Sequence, residues 1–457
     1  MKTIIWGIGK NYEANKKIFR KEIEIVGFID NNKEKQGKEL DGIKIYSPEE
    51  INDLDFDCIF ILCKRYAEVR KQLMQLDVQD DIVVYDVTQI EILCELPKAV
   101  YYDYSVHKRN AKKLLVFSPA LISTGAQNVL YVFLSILMKQ NYDITVVSKA
   151  DGALRERLEQ IKVSVVITAD FRSCNPEIAE LVDWADVILV NTLWLSYVVE
   201  GVSTCKKTIL WWLHESAALS YVDIPSLKRN LLTKNVCTYA VSEVVKKYLE
   251  GKSGLFNKIK LLPFGIPEYD AKVECADAVK NKVIFAIIGG MGHIKGQDIF
   301  IDAISCLPPQ YLNSAEFWIV GGGTLADDLV QKASLIDSIK ILGEIDNKKM
   351  PELYEKLDVV VCCSREESMS VTVIEGFMNE KTVIVSENAG VAAFIDNGNN
   401  GFVFKNEDVK GLCERIKWVI DNRDMSIIIG KESRKIYDKY FSIPVFEERI
   451  LKVMEAE

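Results

Sequence analysis

The chain has little of what a nucleic-acid-binding or membrane-spanning protein needs. Its 457 residues carry 57 lysines and arginines against 66 aspartates and glutamates, a formal net charge of −9. No general field therefore draws it to nucleic acid, and no nucleic-acid partner is expected. No apolar run approaches the roughly 18–20 residues that span a bilayer. The opening Met1-Lys2 runs straight into Thr3-Ile4-Ile5-Trp6 and a glycine turn, too short for a signal-peptide core. The expectation is a cytoplasmic protein, soluble or associated with the inner face of a membrane. The eleven cysteines are scattered through apolar runs (Cys58, Cys63, Cys237, Cys362 and Cys363 among them) and form no CxxC pair. That removes the common zinc and redox spacings and fits reduced, buried thiols. Only three histidines are present, and low-complexity stretches and short repeats are absent.

What is there is ordinary globular composition, 49% hydrophobic and 27% charged, in a chain too long for one core. Short β-branched runs alternate with segments of helical periodicity, the pattern of parallel sheets wrapped by helices. The fold class is α/β. A first small Rossmann-like unit takes residues 1–98, and a polar, aperiodic linker takes 99–112. A second βα series occupies 113–270 and closes near Pro263-Phe264-Gly265-Ile266-Pro267. A third occupies 271–440, and a helix over 441–457 packs back toward the second. Two similar halves with a break between them imply a cleft.

The most informative stretch runs from Ser364 to Gly376. The apolar strand Val359–Cys362 feeds a polar turn and then a helix, whose amides and positive dipole end face the carboxyl edge of a sheet, where open α/β sheets bind ligands. Glu367 lies in the turn and Glu375 eight residues on, on the order of 10 Å apart at ~1.5 Å per residue. That span suits a diphosphate joining a sugar and a ribose. Glu375 follows Val371 by four and sits beside the apolar face of its helix, so its carboxylate needs a partner. Upstream, Gly289-Gly290-Met291-Gly292-His293-Ile294-Lys295-Gly296 closes the first strand of the third unit. Glycines there let the backbone approach phosphate, and Lys295 can neutralise it.

These segments resemble the retaining glycosyltransferases of family 4, whose signature is two glutamates separated by seven residues at such a strand-turn-helix. The resemblance covers about residues 113–457 and implies a GT-B architecture of two facing Rossmann-like lobes. It implies that Glu367 contacts the donor hexose, that Glu375 binds the ribose, and that the amides of Ser370, Val371 and Thr372 hold the diphosphate. Lys295-Gly296 matches the family's diphosphate clamp. The family's arginine five residues before that lysine is Gly290 here, in a glycine-rich variant of the loop. Glu344, after the strand Ile339–Leu342, is assigned to the nucleobase neighbourhood. His214 matches a histidine that touches the donor sugar, and Ser123-Thr124-Gly125-Ala126-Gln127 resembles a flexible loop near the transferred sugar. Catalytic roles fall on His214, Lys295 and Glu367. Donor-binding roles fall on Gly125, Gly290, Lys295, Glu344, Ser370, Val371, Thr372 and Glu375. Asn191 is a further cleft candidate, and the glutamate the family often carries near its last glycine turn is replaced by Ala393.

Asp55-Phe56-Asp57 spells an acid-x-acid pattern, but it precedes the strand Cys58–Leu62 and reads as a surface turn. No metal and no cofactor beyond a nucleotide diphosphate-sugar donor are expected. In the first unit, Gly7, Gly9 and Asp30 have the spacing of a nucleotide site, while Tyr12 takes the third glycine position. The unit resembles small Rossmann-like domains attached to polysaccharide-synthesis enzymes, and both a bound nucleotide and a structural or docking role stay open. Between Lys206 and Lys260, ten basic residues face four acidic ones. They read either as a solvated helix face or as peripheral contact with anionic membrane.

The resemblance implies hexosyl transfer with retention to a glycan or lipid-linked acceptor, in cell-surface polysaccharide or glycoconjugate synthesis. An inverting transferase or epimerase on the same architecture, and a catalytically degenerate GT-B scaffold, are the alternatives.

Overall fold

The computed structural model describes residues 1–63, 66–76, 78, 82–86, 93–94, 98–105, 110–122, 124–171, 175–215, 224–269, 281–323 and 327–456. Ser123, Ser216 and the part of the basic stretch over 216–223 lie outside them.

Three sheets follow one another along the chain. The first holds β1 (Lys2–Trp6), β2 (Glu24–Ile29), β3 (Glu39–Leu40), β4 (Ile43–Tyr46), β5 (Cys58–Ile61) and β6 (Val83–Asp86), in the order β3-β4-β2-β1-β5-β6. The second holds β7 (Val100–Tyr102), β8 (Lys112–Ser118), β9 (Tyr142–Ser148), β10 (Ser164–Ile167), β11 (Val187–Asn191), β12 (Thr208–Leu213), β13 (Val236–Ala240) and β14 (Lys260–Leu261), in the order β14-β13-β12-β11-β8-β9-β10-β7. The third holds β15 (Val283–Ile288), β16 (Ala315–Val320), β17 (Ile339–Gly343), β18 (Val359–Cys362), β19 (Thr382–Ser386) and β20 (Phe402–Phe404), in the order β17-β16-β15-β18-β19-β20. Central strands such as β5, β11 and β18 are buried along their whole length. That is why they read as unbroken apolar runs: parallel strands covered by helices on both faces have no wet side to keep polar.

In each sheet the chain builds outward in one direction, then returns to the centre and builds the other way. The reversal falls between β1 and β5, between β8 and β11, and between β15 and β18. The loops leaving the two strands at such a reversal diverge and open a crevice at their carboxyl ends. Gly7, Gly125, and the pair Lys295 and Glu367 all follow strands that flank such a point.

Val100–Tyr102, within the stretch read as a linker, pairs antiparallel with β10. Only three residues long, it is too short for alternation to announce it, and it covers an edge that would otherwise expose unpaired backbone. One apolar core spans the second and third sheets, while the first sheet is packed on its two faces by two cores of its own. The last helix, Ile443–Ala456, crosses back to the second lobe. Phe446 lies 6.1 Å from Trp212, ring to ring, and the Lys112 ammonium donates to the Met454 carbonyl at 3.0 Å. Beside this crossing, the Ile266 amide donates to the Phe441 carbonyl and the Tyr437 hydroxyl to the Ile266 carbonyl, each at 2.9 Å.

Candidate functional site

The crevice between β15 and β18 holds a cavity of about 180 Å³ lined by Gly125, Gly290, Lys295, Glu367, Ser370, Val371 and Thr372, with Gln297 and Ser364 beside them. Seven of the expected residues thus meet at one place, with Gly125 contributed by the other lobe. Lys295 reaches Glu367 at 2.5 Å, and Ser364 Oγ lies 3.4 Å from the same carboxylate oxygen. Burial works to lower the Lys295 pKa, but the charge and hydrogen bond of Glu367 outweigh it and the net shift is upward. The ammonium stays charged, and with 40% of its side chain exposed it is accessible to an incoming anion.

Local structure explains the pairing. Lys295 ends a single 3-10 turn, His293–Lys295, and Gly296 follows at φ +72. A Cβ there would stand 2.2 Å from the Cys363 carbonyl oxygen, so the tight approach of this loop to the end of β18 needs glycine. Gln297, 2% exposed, braces the glycine loop from within. Its amide group donates to the Gly290 carbonyl and accepts from the Gly292 amide, both at 3.2 Å. Arg365 ties the two loops together: it donates to both Asp298 oxygens, to the His293 carbonyl at 2.6 Å, and to Glu407 at 2.6 Å. Neither Gln297 nor Arg365 stands out in the sequence, since their partners are set by how the loops fold and meet.

The helix Val371–Met378 begins at the cavity. Ser370 Oγ caps it by accepting from the Val373 amide at 3.4 Å and also lies 3.1 Å from Thr372 Oγ1. The amides of Val371 and Thr372 have no acceptor among the described residues and sit at the positive end of the helix. One small cavity is thus bordered by an ammonium and by uncommitted amides, groups of the kind that donate to anionic oxygens.

Glu375 does not line this cavity. Its carboxylate accepts from the Tyr354 hydroxyl at 2.8 Å, a hydroxyl that also lies 3.0 Å from the Thr372 carbonyl. Removal from water raises the Glu375 pKa, partly offset by tyrosine hydroxyls. Tyr269 adds a second phenol close enough for the Glu375 charge to raise its pKa further above the level set by burial, although its hydroxyl makes no well-formed hydrogen bond. The partner that a carboxylate on this helix face requires is therefore a tyrosine from the helix Met350–Lys356.

Glu344 is exposed and lies outside the cavity as well. It stands over the neighbouring glycine loop, where a side chain at Gly322 would meet its carboxylate at 3.0 Å. That loop is joined to the first by the Met291 amide, which donates to the Gly322 carbonyl at 2.8 Å.

In the second lobe, Gly125 opens the helix Gly125–Lys139 and Thr124 bonds to Gln127 across its first turn. His214, 8% exposed, closes β12 with its ring 4.5 Å from Trp212 and its Nε2 3.0 Å from Asn191 Oδ1. Burial pushes its pKa down to about 3, so the imidazole is neutral. The adjoining Glu215 carboxylate accepts from the Leu193 and His214 amides at 2.9 and 3.1 Å, yet burial pushes its pKa up to about 7. Between Asn191 and Leu193, Thr192 holds φ +89, costly for a β-branched residue, and the Glu215 bonds to both flanking chains pin that turn. Glu215 carries no role in the sequence reading.

In the first domain, Gly7 turns at φ +94 with Cys63 packed against it. Asp30 pairs with Lys35 at 2.8 Å, and Lys35 also lies 3.4 Å from the Ile8 carbonyl. The acidic group at the end of β2 is thus already bonded to a side chain that reaches over the Gly7–Gly9 turn. Asp55 and Asp57 both bind Lys2, at the amino end of β1.

Residues 272–436 match the family Glycosyl transferases group 1, and residues 1–84 match C2185-like, N-terminal. Sulfoquinovosyl transferase SQD2 of Arabidopsis thaliana is 20% identical over 236 residues, 51% of this chain and 44% of that protein. A Campylobacter jejuni enzyme, GalNAc-alpha-(1->4)-GalNAc-alpha-(1->3)-diNAcBac-PP-undecaprenol alpha-1,4-N-acetyl-D-galactosaminyltransferase, is 28% identical over 178 residues, 38% of this chain and 48% of that one. The chain spans about half the length of the curated relatives it matches. Among solved structures, Anabaena Alr3699/HepE in complex with UDP and glucose superposes with a TM-score of 0.63 at 20% identity, covering 76% of this chain and all (100%) of that one. The second and third domains have the GT-B fold, and residues 272–436 within it are similar to the family Glycosyl transferases group 1.

Proposed function

We propose that the protein transfers a hexosyl group from a nucleotide diphosphate-sugar to a glycan or lipid-linked acceptor, with retention and without a metal ion. The observation that carries this reading is the cavity where the Lys295 ammonium and the uncommitted amides of Val371 and Thr372 converge beside Glu367. These groups supply the positive charge that a departing nucleoside diphosphate requires, and fixed dipoles and charges aimed at a leaving group lower a reaction barrier strongly. Glu367, held by Lys295, is the sugar-orienting carboxylate, and His214 is a second, neutral orienting group. Glu375 takes the ribose hydroxyls through the oxygen that Tyr354 does not use, and Glu344 borders the base.

Cell-surface polysaccharide or glycoconjugate synthesis is the proposed setting. It is supported by the Campylobacter relative, whose name describes an undecaprenol-linked acceptor. No helix among the described residues is long and apolar enough to cross a membrane. We assign acceptor access to peripheral contact through the 206–260 segment, where Leu232 and Phe256 are 56% and 67% exposed among its lysines.

The test is turnover of a panel of nucleotide-sugars by the full chain, with the product anomer read by NMR and a parallel reaction in EDTA. Lys295→Met is expected to lower kcat on the order of 10²-fold while donor still binds. Wild-type turnover in both Lys295→Met and Glu367→Gln would overturn the site. Donor binding without turnover in the unaltered protein would favour the scaffold reading, to which Gly290 in place of a cation lends support.

A further inference from the structure

The carboxyl ends of β11 and β12 are cross-braced. The Thr192 amide donates to the Trp212 carbonyl at 2.8 Å, and the Trp211 indole donates to the Thr192 carbonyl at 3.0 Å. Asn191, wholly buried, brings its Oδ1 to 3.0 Å from His214 Nε2, while the Trp212 ring lies 4.5 Å from the imidazole. The ring is thus held both by a bond at one nitrogen and by packing against a neighbouring aromatic.

An amide oxygen can only accept, so this bond requires the proton on Nε2. A neutral imidazole carries a single N–H, and Nδ1 is then left with a bare lone pair. Nδ1 makes no hydrogen bond among the described residues, and His214 keeps 8% exposure at the end of β12. The chemistry of the brace decides what that nitrogen can do. A carboxylate in place of the Asn191 amide would stabilise the imidazolium and put a proton on Nδ1, turning an acceptor into a donor. The neighbouring Glu215 carboxylate is directed instead to the main-chain amides of Leu193 and His214. Asn191 Nδ2 is buried without an acceptor among the described residues. A leucine of similar size would avoid that cost, so what the amide contributes here is its bond to the ring.

We propose that Asn191 is a positioning residue that fixes His214 as the Nε2–H tautomer, so that Nδ1 accepts a hydrogen bond from a hydroxyl of the transferred sugar. The inference rests on the reading of His214 as a sugar-orienting group. It adds a requirement on the substrate: the sugar must present a hydroxyl to Nδ1, since an oxygen without a proton would set lone pair against lone pair.

The experiment begins without substrate. In the nitrogen NMR spectrum of the full-length protein labelled at histidine, with His214→Gln identifying the signal, His214 is expected to carry its proton on Nε2 alone. A proton on Nδ1 overturns the proposal. Turnover of a nucleotide-sugar panel is then compared among variants. Asn191→Leu is expected to lower kcat on the order of tenfold, with the donor KM moved by less than about threefold. Asn191→Asp keeps an acceptor at Nε2 but favours the imidazolium, so its turnover relative to the unaltered protein is expected to rise with pH, a change that lost packing would not produce. The ratio cancels the ionisation of Glu215, which both proteins share. Should Asn191→Leu unfold, Asn191→Asp carries the kinetic test alone. Full turnover in the variants, or a ratio for Asn191→Asp that is flat with pH, overturns the positioning role. An Nε2–H ring in a protein that turns over no nucleotide-sugar would discard the transfer reading and keep the tautomer, whereas an Nδ1–H ring in an active enzyme would discard this inference alone.

Discussion

Arg365 grips Asp298 through two parallel bonds, 2.9 Å from one carboxylate oxygen and 2.7 Å from the other. Asp298 belongs to the helix that follows Lys295, and Arg365 stands two residues before Glu367. The pair therefore fixes the distance between the ammonium and the carboxylate without touching the cavity itself. Only a planar guanidinium makes this fork.

Arg365→Lys keeps the charge and loses the fork. Turnover is expected to fall on the order of tenfold because the two cavity side chains lose their spacing. Asp298→Asn should cost a similar amount, and the double variant less than the two combined. Steady-state kinetics on the four proteins checks this, and strict additivity would show that the pair does not act as a unit.

Tyr354→Phe removes the hydroxyl that donates to Glu375. The variant is expected to lose about 1–3 kcal/mol of stability, the cost of an unsatisfied buried polar group. Donor affinity should fall in parallel as the carboxylate loses its fixed orientation. Thermal unfolding with and without nucleotide-sugar separates the two effects. A variant matching the unaltered protein in both would deny Glu375 its dependence on Tyr354.

Gln297→Ala leaves the Gly290 carbonyl and the Gly292 amide without their brace. The expected outcome is a rise in the donor KM of several-fold with kcat changed less, since the loop must be ordered anew on binding. Rescue by Gln297→Glu is not expected, because a carboxylate cannot donate to the Gly290 carbonyl.

His214 and Glu215 give opposite pH dependences. The fold favours neutral His214, whose pKa falls from 6.5 to about 3, so its contribution is full above 6.5 and is lost as pH falls toward 3. The fold also favours protonated Glu215, whose pKa rises from 4.5 to about 7, so its contribution is full below 4.5 and is lost as pH rises through 7. Glu215→Gln cannot ionise. Its unfolding temperature relative to the unaltered protein should therefore climb between pH 5 and pH 8, by the equivalent of about 1–3 kcal/mol. A difference that stays constant over that range would contradict the assignment.

The legible parts of this molecule are those governed by local pattern. β11, β12 and β18 announce themselves because strands buried on both faces must be apolar throughout, and Lys295 and Glu367 are placed by the ends of such strands. The need of Glu375 for a partner is also readable, from its position beside Val371 on a helix. Its actual partner is not: Tyr354 lies 21 residues earlier on another helix, and nothing in a single sequence links them. Arg365 is hidden for the same reason, with its two carboxylates at positions 298 and 407. Val100–Tyr102 escapes because three residues carry too little alternation to distinguish a strand from a loop. Asp30 has the spacing of a ribose ligand, but its bond to Lys35 depends on how the chain folds back between them.

The crossing of the last helix has a mechanical consequence. The two lobes are connected twice on one side, once through Pro263–Ile266 and once through Phe441 and Phe446, and these two passages are bonded to each other. A relative rotation of the lobes must pivot at that doubled strap, so a few degrees there become the greatest travel at the far lip of the crevice. In such a rotation, cargo gripped by one half would approach the other along an arc, like a page turned against a bound spine.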